Sequence, residues 1–208
     1  MTTATAMGNV SFEIDNRRSG RRAGTRQPDI EGAARAARDF LEALGVSCAS
    51  PGMARSAVRM AEAYAEMLTP RNFEMTTFGN DEGYDQLVVV KAIPVQSVCE
   101  HHLLPFLGLA HVAYLPAERI LGLSKVARVV EMFARRPQVQ ERLTQQVADW
   151  LDTHLRPKGV GVVVEAEHTC MTLRGVRASG ALTRTSALAG VLREDASARA
   201  EFFAVLNR

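Results

Sequence analysis

Apolar residues recur every three or four positions in some stretches of the 208-residue chain, and cluster or alternate in others. The first stretch of helical spacing, Ile30, Ala33, Ala37, Phe40, Leu41 and Leu44, predicts a helix over about 30–46, with Asp29 as its N-cap behind Pro28. A second helix is predicted over roughly 54–68, in "ARSAVRMAEAYAEML". The segment "RNFEMTTFGNDEGYDQ" carries Gly79, Asn80, Asp81 and Gly83 and reads as a connection. Next, "LVVVKAIPV" is rich in β-branched residues and reads as a strand ended by Pro94, and "FLGLAHVAYLP" as another, closed by Pro116. Helical spacing returns over about 124–135 and about 138–156, where Val139, Leu143, Val147, Trp150, Leu151 and Leu155 form one stripe. "GVGVVVEAEHTC" is the clearest strand and "ALTRTSALAG" a weaker one. Asp195 opens a terminal helix ending near Leu206. Two helices, two strands, two helices, two strands and a helix make an α+β protein with an antiparallel sheet.

Composition narrows the function classes. Hydrophobic residues make up 47% and charged residues 23%, an ordinary globular balance. No apolar run approaches the roughly 20 residues of a membrane span, so no membrane partner is implied. A net charge of +2 is too small to imply nucleic acid, so any functional positive charge is local. The three cysteines, Cys48, Cys99 and Cys170, are too few and odd in number for a disulfide framework. They fit a reducing cytoplasm, where a conspicuous cysteine is a metal ligand or nucleophile. Residues 1–28 are polar and arginine-rich, without the apolar core of a secretory signal, and read as a flexible tail. Glu13 and Asp15 interrupt its positive charge and argue against an organellar transit peptide.

Candidate chemistry gathers in "SVCEHHLLPF" and "EHTC". Cys99 and His102 are three apart, so one turn of loop can aim both at a point. His168 and Cys170, two apart on a predicted strand, share a face. Two thiolates and an imidazole suit zinc and leave a fourth position for water. A buried cysteine is more often a small hydrophobe, and Cys48 reads that way. Two of the three thiols, however, sit beside histidines. More candidates than positions are present. If Cys99, His102 and Cys170 bind metal, His101 and His168 stay free for acid–base work. Ser124-Lys125-x-x-Arg128 opens a helix, with Ser124 a natural N-cap and two cations on one face, as a phosphate site requires. Arg174 could add a third cation. Pro137 separates two helices and places Gln140 and Glu141 in the first turn of the second. A carboxylate there is ordinarily capping charge, but beside an amide it could read the N–H edge of a purine.

Four separated motifs, "SVCEHHLLPF", "LGLSKVARVVEMFARRPQVQERLTQQ", "GVGVVVEAEHTCMTLRGV" and "REDASARAEFF", resemble those of GTP cyclohydrolase I. The resemblance covers roughly residues 30–208. It implies a tunnelling fold (T-fold) core over 85–208 with an N-terminal helical pair over 29–70, together one domain over 29–208. It also implies a homodecamer with active sites between subunits, in the cytoplasm. The implied reaction converts GTP and water to 7,8-dihydroneopterin triphosphate and formate, the first step towards pterins and tetrahydrofolate. By the same resemblance Cys99, His102 and Cys170 hold Zn2+, which activates water against C8 of guanine. His168 is the principal proton shuttle, His101 a second, and Ser124 acts near the ribose. Gln140 and Glu141 hold guanine, and Lys125, Arg128, Arg174 and Arg59 the triphosphate, while Glu100 orients its loop. The chain departs from the family pattern at Ser56-Ala57, where Thr-Pro is usual, and at Leu109, where lysine is common. It departs again in "ALTRT", Ala181 to Thr185, where Leu182 replaces a lysine. These changes keep two alternatives in view. One is a divergent paralogue opening the ring of GTP or a related nucleotide. The other is a non-catalytic, zinc-stabilised nucleotide-binding oligomer.

Overall fold

The computed structural model describes residues 10–11 and 27–207, and most of the expected N-terminal tail lies outside them. The described residues fall into two compact units, divided between Thr69 and Pro70. The first unit holds α1 (Ile30–Ala43) and α2 (Ser56–Leu68), which pack on each other. Asp29 caps α1 as predicted, its carboxylate accepting from the Gly32 amide at 2.8 Å. Ala37, Ala57 and Ala61 are buried, and so is Cys48.

The second unit is built on a five-stranded sheet. Its strands are β4 (Val88–Cys99), β5 (Pro105–Leu115), β7 (Pro137–Gln138), β8 (Gly159–His168) and β9 (Leu182–Gly190), in the order β7-β4-β5-β8-β9. The four long strands pair antiparallel, and β7 adds a short parallel contact at Val98 and Cys99. Two further ladders are small: β1 (Val10–Ser11) with β2 (Glu74–Met75), and β3 (Thr77–Gly79) with β6 (Arg119–Leu121). The segment read as a connection therefore contains two short strands. Such strands exist only through their distant partners and leave no period in the sequence. Pro94 does not end β4. Among the described residues the strand's outer edge meets only β7, and only at its last two residues, so most of that edge tolerates a residue without an N–H.

One face of the sheet packs against α3 (Leu123–Ala134) and α4 (Gln140–Leu155). Phe106, Ala110, Val112, Val162 and Val164 share that face by register, and all are buried. They form a core with Val126, Val129 and Val130 of α3 and Leu143, Val147 and Leu151 of α4. Each such branched or aromatic side chain contributes about 1.5–3 kcal/mol on burial. Gly108 lies opposite Ala166, where a Cβ would overlap the Glu165 carbonyl and the Ala166 backbone, so glycine is required for β5 and β8 to approach. Part of the other face is covered by α7 (Ala196–Leu206), whose Phe202 packs with Ala113, Val163 and Leu192. Asp195 caps α7, accepting from the Ala198 amide at 2.8 Å. Among the described residues no helix is long and apolar enough to cross a membrane.

Candidate metal centre

The centre forms where β4 and β8 end on either side of the start of β5. After Cys99 the chain reverses at once. The Leu103 amide donates to the Cys99 carbonyl and the Cys99 amide to the Leu104 carbonyl, both at 2.8 Å. The reversal needs a left-handed residue, and Leu103 supplies it at φ 53°, a conformation costing an L-residue roughly 1–2 kcal/mol. The loop is held from outside by Arg142 of α4, which forms an ion pair with Glu100. The Glu100 amide donates to the Gln138 carbonyl at 2.9 Å. Glu100 therefore supports the loop, as its position suggests.

The other half differs from its predicted form. Strand β8 stops at His168, and α5 (Thr169–Thr172) turns the chain in a single helical turn. Cys170 is thus not on the strand and does not reach the site by two-residue alternation. The Thr169 hydroxyl donates to the Pro105 carbonyl at 2.6 Å, pinning the turn to the start of β5. This carries the Cys170 Sγ to 4.0 Å from the Cys99 Sγ. His168, the last strand residue, keeps the helix-facing side of Val162, Val164 and Ala166, as expected from alternation.

His101 and His102 each place Nδ1 at 3.9 Å from the Cys99 Sγ. Among the described residues, the group whose donor atoms all lie within 4.8 Å of one another is Cys99, His102 and Cys170. Both thiols are buried, whereas the two histidines are exposed. The donor set fits zinc. Tetrahedral zinc with Zn–S near 2.3 Å places two thiolates about 3.8 Å apart, close to the 4.0 Å between Cys99 and Cys170. The Cys170 thiol is pushed up by burial and by the neighbouring Cys99, with Arg174 pulling modestly the other way. Cys170 beside Cys99 therefore resists ionisation, and a divalent cation between the two sulfurs would remove that penalty.

His168 is half-buried and stacks on Phe106, with ring centroids 4.5 Å apart and an interplanar angle of 12°. Its Nε2 lies 2.9 Å from the Gln140 Oε1. Burial holds its pKa below the usual histidine value, and the nearby Glu141 carboxylate opposes that. Glu141 is exposed in the first turn of α4, where the break at Pro137 places it. Gln140, expected to help hold a base, is 1% exposed and spends its amide inside the protein.

The phosphate-binding candidates are less gathered. Gly122, not Ser124, occupies the N-cap of α3 and offers no side-chain cap, so Ser124 is an exposed residue of the first turn. Among the described residues no hydrogen bond or ion pair joins Ser124 or Lys125 to another side chain. Arg128 pairs with Glu131 one turn along at 2.8 Å, and Glu131 also takes Arg135 at 2.9 Å and Arg71 at 3.5 Å. Arg174, exposed just beyond α5, lies close enough to Cys170 to act on its charge. Arg59 is exposed on α2 in the other unit. Sequence reasoning missed Phe106, Arg142, Thr144 and Thr185 as parts of the site. Phe106 and Arg142 lie within quoted motifs, but neither residue type announces a stacking or pairing role. The two threonines become visible only once α4 packs on β9.

A mixed α+β protein emerges, with a Cys-His-Cys group that can hold a metal and, two residues before Cys170, a half-buried histidine held by Gln140. Residues 33–207 match the GTP cyclohydrolase I family, and the chain belongs to it. It is 49% identical over 179 residues to a protein of Aquifex aeolicus named GTP cyclohydrolase 1, covering 86% of this chain and 97% of that one. Against the protein of the same name from Mycobacterium avium it is 49% identical over 190 residues, with 88% and 92% covered. The Caldanaerobacter subterraneus protein of that name is 48% identical over 184 residues, with 86% and 97% covered.

Proposed function

We propose that the protein is a zinc-dependent GTP cyclohydrolase I, converting GTP and water to 7,8-dihydroneopterin triphosphate and formate. The observation that carries this reading is the Cys99, His102 and Cys170 group with His168 beside it, in a chain whose relatives bear that name. When bound by Cys99, His102 and Cys170, zinc supplies Lewis acidity that makes water nucleophilic at neutral pH. His168 takes and returns protons as the imidazole ring of guanine opens and formate leaves, and exposed His101 serves as a second proton carrier. Glu141, at the start of α4, accepts from the N–H edge of guanine. Ser124 works near the ribose during its rearrangement. Lys125, Arg128 and Arg174 bind the triphosphate, and Arg128 gives up Glu131 to do so.

The core is a T-fold assembled as a decamer with sites shared between copies. Support comes from Leu107, Leu109 and Leu182, 52%, 44% and 67% exposed on one face of the sheet, where a second copy would bury them. Three free cysteines suit the reducing cytoplasm. Purified zinc-loaded protein should release formate from GTP and, after oxidation and dephosphorylation, yield fluorescent neopterin in equal amount. Formate without a pterin would reduce the activity to ring opening, and neither product would overturn the reading.

A further inference from the structure

Gln140 has a nearly complete set of hydrogen bonds, and together they fix its orientation. One end of its side chain lies 3.0 Å from the Val164 carbonyl, 2.9 Å from the Thr183 carbonyl and 3.2 Å from the Thr185 hydroxyl. Carbonyl oxygens only accept, so this end is the amide nitrogen, and the other end, facing His168, is the oxygen. The threonines give the network one direction. The Thr144 hydroxyl donates to the Gln140 backbone carbonyl at 2.8 Å, so its contact with Thr185 at 2.6 Å uses the Thr185 proton. The Thr185 oxygen is then free to accept, and the two amide hydrogens of Gln140 are shared among it and the two carbonyls, one of them bifurcated. Gln140 and Thr144 are each 1% exposed, so a reversed amide would set its oxygen against two carbonyls with no water to relieve it.

An amide oxygen 2.9 Å from the His168 Nε2 can only accept, so Nε2 carries a hydrogen. We infer that Gln140 is a positioning residue rather than a contact to the purine. It holds neutral His168 as the Nε2–H tautomer and leaves Nδ1 as the ring nitrogen that exchanges protons with substrate. Phe106, stacked on the imidazole, fixes the plane in which Nδ1 works. This rests on the proton-shuttle role of His168 proposed above. It removes Gln140 from the substrate contacts and leaves Glu141 to recognise the base.

Two measurements test it. In Gln140→Leu, kcat should fall about 10–100-fold while KM for GTP changes less than about threefold and zinc content is unchanged, as when a group orienting a working histidine is lost. A KM rise of about tenfold or more with kcat retained would make Gln140 a base contact and overturn the inference. The second measurement needs no change at Gln140. In 15N spectra of histidine-labelled, zinc-loaded wild-type protein, the signals absent from His168→Ala should show a protonated Nε2 and an unprotonated Nδ1. The reverse pattern would overturn the inference even if the leucine variant failed to fold. Failure of the functional reading would appear separately, as a wild-type protein forming no neopterin.

Discussion

At the end of the sheet, Cys99, His102, Cys170 and His168 converge from distant parts of the chain, with buried partners directing them. At the start of α3, Ser124 and Lys125 have no such partners, and Arg128 is engaged by Glu131. The difference follows from solvation. The Cys99 and Cys170 thiols and the Gln140 amide are buried at the edge of the core and must be satisfied by the protein itself, and the half-buried His168 is held by that amide. Exposed cations are already satisfied by water, so only a ligand or a second copy gives them an arrangement. In the proposed site the metal-and-proton half is therefore organised by folding, and the anion half would be organised by binding.

The largest effect separating the halves should come from Cys170→Ser. Losing one thiolate of three should weaken zinc binding by more than the roughly 100-fold expected for an outer partner, and abolish neopterin formation. Metal analysis of the dialysed variant checks this, and a full complement of zinc would break the assignment. His168→Ala should divide the first half internally. Zinc should stay bound while kcat falls about 10²–10⁴-fold, the usual contribution of a general acid–base group. Normal turnover in that variant would remove His168 from the chemistry. Lys125→Ala should act more mildly and on binding. Losing one charge-assisted contact worth about 1.5 kcal/mol raises KM for GTP about tenfold, with zinc content untouched. Steady-state kinetics beside metal analysis would show whether the two halves separate so cleanly.

Much of the metal-and-proton half was legible in the sequence. The three-residue spacing of Cys99 and His102 needs only a tight turn, and the structure supplies one. The break at Pro137 placed Gln140 and Glu141 at the start of α4 through local chain chemistry alone. The route of Cys170 was not legible, because the end of β8 depends on Thr169 meeting the Pro105 carbonyl, a contact between distant residues. Ser124 resembled a cap by residue type, yet β6 delivers the chain so that Gly122 takes that position. Gln140 shows the limit best. Its neighbour Glu141 is exposed and open to a ligand, but Gln140 turns inward, and only the packing of α4 across β8 and β9 reveals that its partners are Val164, Thr183, Thr185 and His168.

The reading of the site as two halves shared between copies is tested most directly by co-expressing Cys170→Ser with the double variant Lys125→Ala and Arg128→Ala, and measuring turnover of the mixed oligomer at GTP far below the double variant's KM. If one copy supplies the metal-and-proton half and another the anion half, random mixing should restore about a quarter of wild-type activity, since each half is intact in half of the copies. No recovery in a mixed oligomer that binds zinc at its intact centres would place both halves in one chain and contradict the sharing of sites between copies.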